Sequence, residues 1–412
     1  MPDPNRAVSE VLGFILIFGF LVISWTVYQG VIVPEQNREV ELNHNQQVQN
    51  QLQDLRNSIL TNAYSGTKQT VSVNLGASYP DRTLTVNLGV SAGAIGTVEY
   101  DGSNQIRIAN AESPSEASGV GDYWNGSPKV YSTKAIAYQP VYSFYTEAPV
   151  TYYENTLVVN DFGDETNLTV TDQALIDGNR ITLVSLQGDY SQNGQGAVSI
   201  DPQAVSIATN RVALQNDDQP ITITIPTRLS AEAWTELLAG NAHVLDVEQT
   251  GPQEVTMSLE PGTTYELRMV KVGIGTGVEG EPAKYIVRED TPSQTVTTET
   301  NHSIAVQVRD RFNNPVTGFP VNASISGDGT FDNGLETQAI SSGIDGEATF
   351  QYTAPDDASE SEVIEFSIYD GEPDYEVVEL VIEVISIDQG PPGQGGPPDG
   401  AGPPEGAGPP GG

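Results

Sequence analysis

The chain has 412 residues, 37% of them apolar, which is enough for two or three domains and too apolar for a chain that stays unfolded. Lys and Arg number 17 against 55 Asp and Glu, and the net charge of −38 argues against nucleic acid as a partner. Cysteine is absent, which excludes disulfides, thiolate metal sites and cysteine nucleophiles. Histidine occurs three times, which is too few for a three-His metal site unless all three converge. We therefore expect no cofactor and no metal centre.

Residues 1–34 are predicted to be a leader followed by a transmembrane anchor. The uncharged run 11–33 gives about 35 Å of helix, enough to cross a bilayer. Arg6 precedes this run, and Glu35 and Glu39 follow it. By the positive-inside rule we expect a single-pass protein of the cell membrane, with a cytoplasmic N-terminus and an extracellular bulk. A cleaved secretory signal is disfavoured because the apolar run is too long for one.

The segment RAVSEVLG, from Arg6 to Gly13, resembles the N-terminus of archaeal type IV pilins and archaellins. In those families a peptidase removes a short basic leader and leaves the apolar helix attached. The resemblance implies cleavage between Ala7 and Val8, with a pilin-type peptidase and other surface or pilus proteins as partners. Glu10 departs from the bacterial pattern, because it is third in the cleaved chain and bacterial pilins carry glutamate at the fifth position.

The excess of carboxylates resembles the surfaces of proteins from salt-loving archaea. At molar salt the screening length falls to about 3 Å, so dense surface carboxylates repel one another little. At low salt the same charges push the fold apart. The resemblance implies a halophilic archaeal source.

Residues 35–63 contain no Gly or Pro and are predicted to continue the helix as a stalk. Its apolar residues follow a 4-3-4 spacing: Val48, Leu52, Leu55 and Ile59. This face either contacts copies of itself in a filament or docks on the β domain of its own chain. Docking is favoured, because barely two heptads are present. His44 is expected on the polar side, in solvent.

Residues 64–290 are predicted to form a large extracellular β domain of sandwich type, because β-branched runs such as TVSVNL and ITITI recur between turn signals. One internal helix is predicted at 230–239, with Ser230 as its N-cap. Seven tyrosines lie between residues 123 and 153. Their spacing favours strand faces in a core over a sugar-binding surface.

Residues 291–388 place apolar residues on alternate positions of successive short segments, as in a β-sandwich of about 100 residues. The segments VRDRFNNPVTGFPV at 308–321 and GIDGEATF at 343–350 resemble the bacterial Ig-like (Big-1-like) repeats of invasin-type surface proteins. That resemblance implies a spacer or adhesive module and no enzyme. Residues 389–412 repeat Gly-Pro-Pro and are predicted to be a disordered tail.

Sequence motifs for nucleotide or metal binding are weak in this chain. The GxGxxG match at 275–280 precedes Pro282 and a β-like run, so we expect a glycine-rich hairpin loop and no nucleotide site. The acidic clusters at 161–165 and 217–218 lack the spacing of a calcium loop. The extracellular location makes the Asn-x-Ser/Thr sequons candidate glycosylation sites: Asn125, Asn167, Asn301 and Asn322.

The sequence as a whole predicts a mainly β protein with an N-terminal transmembrane and stalk helix, a large β-sandwich domain, an Ig-like sandwich and a disordered tail. The expected role is that of a membrane-anchored, pilin-like structural or adhesion protein of the cell surface, without catalytic activity. Two alternatives stay open. One is a filament subunit, and the other is a surface carbohydrate-binding protein or hydrolase, with cell-surface glycans as partners.

Overall fold

The computed structural model describes residues 4–83, 85–87, 89–114, 119–163, 166–207, 210–288, 293–358, 361–369 and 374–386. Within these residues the chain is mainly β, with one long apolar helix at the N-terminus, as the sequence predicts. The tail predicted for 389–412 lies outside the described residues.

The N-terminal helix runs through one wide turn, with α1 at Pro4–Val27, a π-helical turn at Tyr28–Ile32 and α2 at Val33–Ser65. Pro34 explains the wide turn, because it has no N–H for the carbonyl four residues earlier and its ring clashes with a regular α turn. In the π turn the N–H of Val33 reaches the carbonyl of Tyr28 instead. α2 ends at Gly66, whose φ of 64° is left-handed and whose N–H bonds the carbonyl of Asn62.

Several of the β strands that follow alternate buried and more exposed residues, as strands between a core and solvent do. They are β1 Val71–Asn74, β2 Ala92–Val98, β3 Gln105–Ala109, β4 Lys129–Ser132, β5 Ala135–Val141, β6 Val150–Glu154, β7 Leu157–Asp161, β8 Asn167–Thr169, β9 Ile176–Asp177, β10 Arg180–Gln187, β11 Ser191–Gly194, β12 Ala197–Ile200, β13 Gln203–Ser206, β14 Val212–Leu214, β15 Thr222–Pro226, β16 Val244–Gly251, β17 Glu254–Leu259 and β18 Tyr265–Gly273. Two short helices interrupt them, α3 at Val120–Tyr123 and α4 at Ala231–Leu238. Ser230 caps α4, as predicted, by accepting the N–H of Ala233.

These strands form the body of the protein, and its sheets are antiparallel except for one central pair. The described strands pair in the orders β1-β12, β13-β18-β10-β9 with β14 also on β18, β11-β2-β5-β6-β7-β8 and β16-β17-β15-β3-β4. β10 and β18 run parallel, with Arg180 opposite Glu266 and Thr182 opposite Arg268.

The β10–β18 sheet separates two cores. Its odd-numbered residues, such as Leu183 and Met269, face one core with Trp124 and Trp234 of the body. Its even-numbered residues face the second core, which is built around α2. The stalk residues lie in that second core with no exposed surface: Val48, Leu52, Leu55 and Ile59. The helix at 35–63 is therefore docked on the β domain of its own chain, the arrangement favoured by its short heptad run.

The C-terminal unit is an Ig-like pair of sheets around a third core. Its strands are β19 Ala283–Arg288, β20 Ser293–Thr297, β21 Asn301–Asp310, β22 Pro320–Ser326, β23 Thr330–Phe331, β24 Thr337–Ser341, β25 Glu347–Thr353, β26 Glu362–Ser367 and β27 Val377–Ile385. They pair in the orders β19-β21-β25-β23 and β20-β27-β26-β22-β24. β19 lies before the predicted boundary at residue 291, yet its hydrogen bonds join the sheet of this unit.

Candidate functional site: an apolar helix fixed to the β body

The first half of the N-terminal helix is apolar and uncovered. Its most apolar stretch has a mean hydropathy of 2.3, and none of it is buried against the rest of the described chain. Phe14 and Phe20 each expose 70% of their surface. Apolar side chains in such numbers are unstable in water, and the helix is long and apolar enough to cross a membrane.

A buried carboxylate fixes the second half of this helix to the body. Glu41 has no exposed surface, and its oxygens accept the backbone N–H groups of Ser143 at 2.9 Å, Phe144 at 2.8 Å and Tyr145 at 2.6 Å. The hydroxyl of Tyr79 donates to the same carboxylate. These five residues are here called the collar. A buried charge is tolerated when it is hydrogen-bonded to this extent, and its contacts have a defined geometry.

His44 lies one turn after Glu41 and is buried, with 5% of its surface exposed, so the prediction of a solvated side chain is wrong. Its Nδ1 is 2.6 Å from the hydroxyl of Tyr142. Burial lowers the pKa of His44, which keeps the imidazole neutral at neutral pH. The reason for the difference is tertiary: the loop after β5 folds over this face of α2.

A second loop holds the helix near the point where its apolar half begins. The guanidinium of Arg82 donates to Gln36 at 2.8 Å, to Asn37 at 3.3 Å and to Asn87 at 2.8 Å. The amide of Gln29 donates to the carbonyl of Val86 at 2.8 Å. The two loops together fix the direction in which the apolar helix leaves the body.

The C-terminal unit is fixed to the body through the segment Asn313-Asn314-Pro315 and the residues before it. Asn313 Oδ1 accepts the Trp124 indole N–H and the Tyr285 hydroxyl, each at 2.8 Å. Asn314 Nδ2 donates to the Met269 carbonyl at 2.9 Å, and Phe312 lies in the core of the body.

Two further contacts support this attachment. The rings of Tyr123 and Tyr285 are stacked 4.5 Å apart, and the carboxyl of Asp310 accepts two N–H groups of the segment. We call residues 310–314 and their partners in the body the joint.

The aromatic cluster at 123–153 divides between cores and contacts. Tyr131, Tyr138 and Tyr153 are buried, in agreement with the prediction of strand faces in a core. Tyr142 and Tyr145 are half-buried and lie at the collar.

The remaining predicted site residues are dispersed over the molecule. Ala7 and Val8 lie in α1. Asn125, Asn301 and Asn322 are exposed. Asn167 is half-buried, and its Nδ2 donates to the carbonyl of Arg228 at 2.9 Å.

The weak motifs are loops in the structure. The GxGxxG segment at 275–280 links β18 to β19, so it joins the body to the C-terminal unit and is not a hairpin; no helix follows it in this described stretch. Asp161 accepts the N–H of Gly163, Asp217 accepts the amide of Gln215, and Asp164 and Glu165 lie outside the described residues. Among the residues that the structure describes, no group of three or more His, Asp or Glu side chains is placed to hold a metal ion.

Arg228 lines one cleft of about 520 Å³ in the body and forms a buried ion pair beside it. Glu154 and Arg228 are 3.1 Å apart, and the guanidinium lies over the rings of Tyr100 at 4.7 Å and Tyr152 at 4.0 Å. Burial raises the pKa of Glu154, while the guanidinium and the Thr227 hydroxyl oppose the rise. The carboxylate is thus held in the interior by Arg228 and Thr227.

Comparison with known proteins gives both sequence and structural relatives. A protein of Archaeoglobus fulgidus described as uncharacterized is 24% identical over 187 residues, which is 45% of this chain and 30% of the relative, so the chain spans about a third of that relative's length. The D00-D0 domain of intimin matches 42% of this chain and 89% of its own, with 9% identity and a TM-score of 0.24. Domains 4 and 5 of the S-layer protein SbsC match 35% and 71%, with 15% identity and a TM-score of 0.20. The Yersinia pseudotuberculosis adhesin InvE matches 45% and 54%, with 8% identity and a TM-score of 0.20. Scores this low do not establish a shared overall fold.

The sequence profile of one family matches residues 6–275. The match begins at the apolar helix and ends directly after β18, the last strand of the body, so it contains the helix, the collar, the core around α2 and most of the other core of the body. It covers well over half of the chain, and the chain therefore belongs to this family, the family of unknown function DUF7289.

Proposed function

We propose that this protein is a membrane-anchored, non-catalytic protein of the cell surface with a structural or adhesive role. One observation carries the proposal: the uncovered apolar helix α1 continues through a single turn into α2, which lies in a core of the β body. A force on the body, or the binding of a ligand to it, therefore acts on the helix in the membrane without a flexible linker between them.

The proposed orientation has a cytoplasmic N-terminus. Arg6 precedes the apolar stretch and acidic residues follow it, and the positive-inside rule places the basic flank in the cytoplasm. The collar and the joint then hold the Ig-like unit at a fixed position relative to the membrane helix. The halophilic source stays part of this proposal and is supported by the net charge of −38.

Protease protection in intact cells tests the topology. The chain is expressed with an epitope at its C-terminus, proteinase K is added outside the cell, and mass spectrometry identifies the fragment that stays in the membrane. We expect a protected fragment that ends at about residue 35 and loss of the body, the Ig-like unit and the epitope. A cytoplasmic protein of the same cells, digested only after permeabilisation, is the control. Full protection of the β units in intact cells would contradict the proposal.

The pilin-like part of the proposal concerns processing. A pilin-type peptidase leaves the apolar helix attached, so the mature chain is expected to begin at Val8. Arg6→Ala should block the cut, while Asn5→Ala is the matched control outside the basic-small pair. Mass spectrometry of N-terminal peptides from membranes measures both variants. If most wild-type chains retain Asp3 to Arg6, the anchor is uncleaved and processing by a pilin-type peptidase is excluded.

A filament subunit is the second candidate, and one observation limits its form. The apolar face of α2 is buried by its own body, so of the two halves of the helix only α1 has an uncovered apolar surface for packing on copies of itself. Electron microscopy of purified surface filaments with an antibody to the Ig-like unit tests it. Labelling along the filament supports a subunit, and unlabelled filaments exclude one.

A further inference from the structure

The end of α2 leaves part of a sheet face uncovered. Along the β10–β18 pair, Val184 and Val270 face the core beneath α2. Two residues earlier on each strand, the same face carries Thr182 and Arg268, which are opposite each other in register. α2 stops at Gly66, so this part of the sheet face has no helix to pack against. The face that is apolar beneath α2 is therefore polar here.

This surface is the floor of a cleft of about 380 Å³, here called the arginine cleft. Its charged residues are Arg180, Arg211, Arg268, Asp177 and Glu266, and Tyr64, Gln173 and Thr182 also line it. Three guanidinium groups against two carboxylates leave a local charge of +1 in a chain whose net charge is −38. The cleft therefore attracts an anion that the rest of the molecule repels.

The arginines of the cleft are not all neutralised by the protein. Glu266 lies 2.8 Å from Arg211 and 3.7 Å from Arg180, so one carboxylate serves two guanidinium groups. Arg268 lies over the ring of Tyr64 at 5.3 Å, and its Nε has no hydrogen-bond partner among the described residues. A guanidinium whose Nε is left unpaired, beside a flat ring, is suited to bind a carboxylate.

We propose that the arginine cleft binds a sugar that carries one carboxylate, such as a uronic acid. The net charge of +1 matches a single negative charge. Sugar hydroxyls both donate and accept, and the cleft offers acceptors in Asp177 and Glu266 beside its arginine donors. An acidic peptide needs donors alone, and the two carboxylates of the cleft repel its repeated charges. Tyr64 provides a partly exposed aromatic ring, and such rings pack against the apolar C–H face of a sugar.

Calorimetry on the full-length chain tests the proposal. The protein is kept in a detergent without a sugar headgroup, at the lowest salt that preserves its near-UV spectrum. The probes are D-glucuronate, neutral D-glucose and a triglutamate peptide. We expect glucuronate to bind about tenfold or more tightly than either of the others, and its affinity to fall as salt is raised.

Three variants connect the binding to the cleft. Arg268→Gln and Arg180→Gln should each weaken glucuronate binding, Arg268→Gln by about tenfold or more, since a charge-assisted hydrogen bond is lost. Arg107→Gln removes the same charge from an exposed position on β3 and should leave the affinity unchanged. The proposal would be overturned if the natively folded protein did not bind glucuronate, bound glucose equally well or bound triglutamate more tightly. Equal losses in all three variants would overturn it as well. Arg180 is exposed, so its variant stays informative if Arg268→Gln does not fold.

Discussion

At the scale of single residues, buried polar side chains decide how the parts of this protein are oriented. Glu41 holds three consecutive backbone N–H groups, and Asn313 holds an indole N–H and a phenol. Hydrophobic burial is non-directional, whereas each of these groups has only one arrangement in which its hydrogen bonds are made. The collar and the joint therefore set position, and the cores around them supply most of the stability.

Glu41→Gln should loosen the collar. The amide nitrogen of glutamine presents N–H groups to backbone N–H groups, so donors are left unpaired, at a cost of about 2 kcal/mol in the free energy of unfolding. Hydrogen exchange should show lost protection at Ser143, Phe144 and Tyr145. Glu39→Gln, on the exposed side of the same helix, is the control and should leave the exchange unchanged. Retained protection in Glu41→Gln would show that the carboxylate does not hold the loop.

Asp310→Asn should change how stability depends on pH. Burial raises the pKa of Asp310 from 3.8 to about 6, so the folded protein holds this proton more tightly than the unfolded chain does. Asp310 therefore contributes stability below about pH 4, and that contribution is lost as pH rises through about 6. At neutral pH the carboxylate costs up to about 3 kcal/mol relative to a neutral group.

Asparagine keeps an oxygen for the N–H groups of Phe312 and Asn314 and does not titrate. The gain in unfolding free energy over the native chain should grow between about pH 4 and about pH 6 and then stay constant, as followed by urea unfolding. Asp356→Asn, at an exposed carboxyl, is the control and should show no such growth. A difference independent of pH would mean that Asp310 has an ordinary pKa.

At the scale of elements, one helix is adapted to two environments. α1 is uncovered and apolar, whereas α2 is polar in composition and still buried along one face. Two of its buried polar residues bond the body near the end of the helix: Asn62 bonds the Pro202 carbonyl and the Ala204 N–H, and Ser58 bonds the Gln69 carbonyl. The helix is an integral part of the body, so α1 is joined to the β sheets without a flexible linker.

Leu52→Ala should destabilise the body. Leu52 has no exposed surface, and its truncation leaves a cavity that costs about 3 kcal/mol in unfolding free energy. Asp54→Ala, two residues on and exposed, should change that energy by less than about 0.5 kcal/mol. Urea unfolding and light scattering measure stability and association. A Leu52→Ala protein of unchanged stability but altered association would indicate that this face contacts other copies.

At the scale of the whole molecule, charge sets the conditions under which the fold is stable. Acidic residues outnumber basic ones by 55 to 17, and two of the cations are used internally, in the Glu154–Arg228 and Glu281–Lys271 pairs. The remaining carboxylates repel one another unless salt screens them. The arginine cleft is a local exception to this charge and lies beside the end of α2.

We expect the protein to fold reversibly at molar KCl or NaCl and to lose its near-UV circular dichroism on dialysis to low salt. The screening length grows from about 3 Å at 1 M to about 30 Å at 0.01 M, so repulsion then acts across the whole surface. An uncharged osmolyte at matched osmolality is the control and should not replace salt. An unchanged spectrum across this range would show that repulsion among carboxylates does not limit stability.

The sequence by itself determined the features that depend on local composition and periodicity. An uncharged apolar run gives a helix of membrane length, and period-two alternation gives strands for a body and an Ig-like unit. The 4-3-4 spacing of Leu52 and its neighbours identified the buried face of α2. These properties can be predicted from a window of a few residues, because the spacing of apolar residues within it indicates which side chains are buried.

Only the tertiary structure decided where distant polar groups meet. Glu41 lies about a hundred positions before the loop that it holds, and nothing near His44 indicates that Tyr142 covers it. The same holds for the arginine cleft, where Tyr64, Arg180 and Arg268 come from three segments. In a chain with 55 acidic residues, composition cannot single out the few charges that are buried. Their partners depend on long-range packing, which no local pattern records.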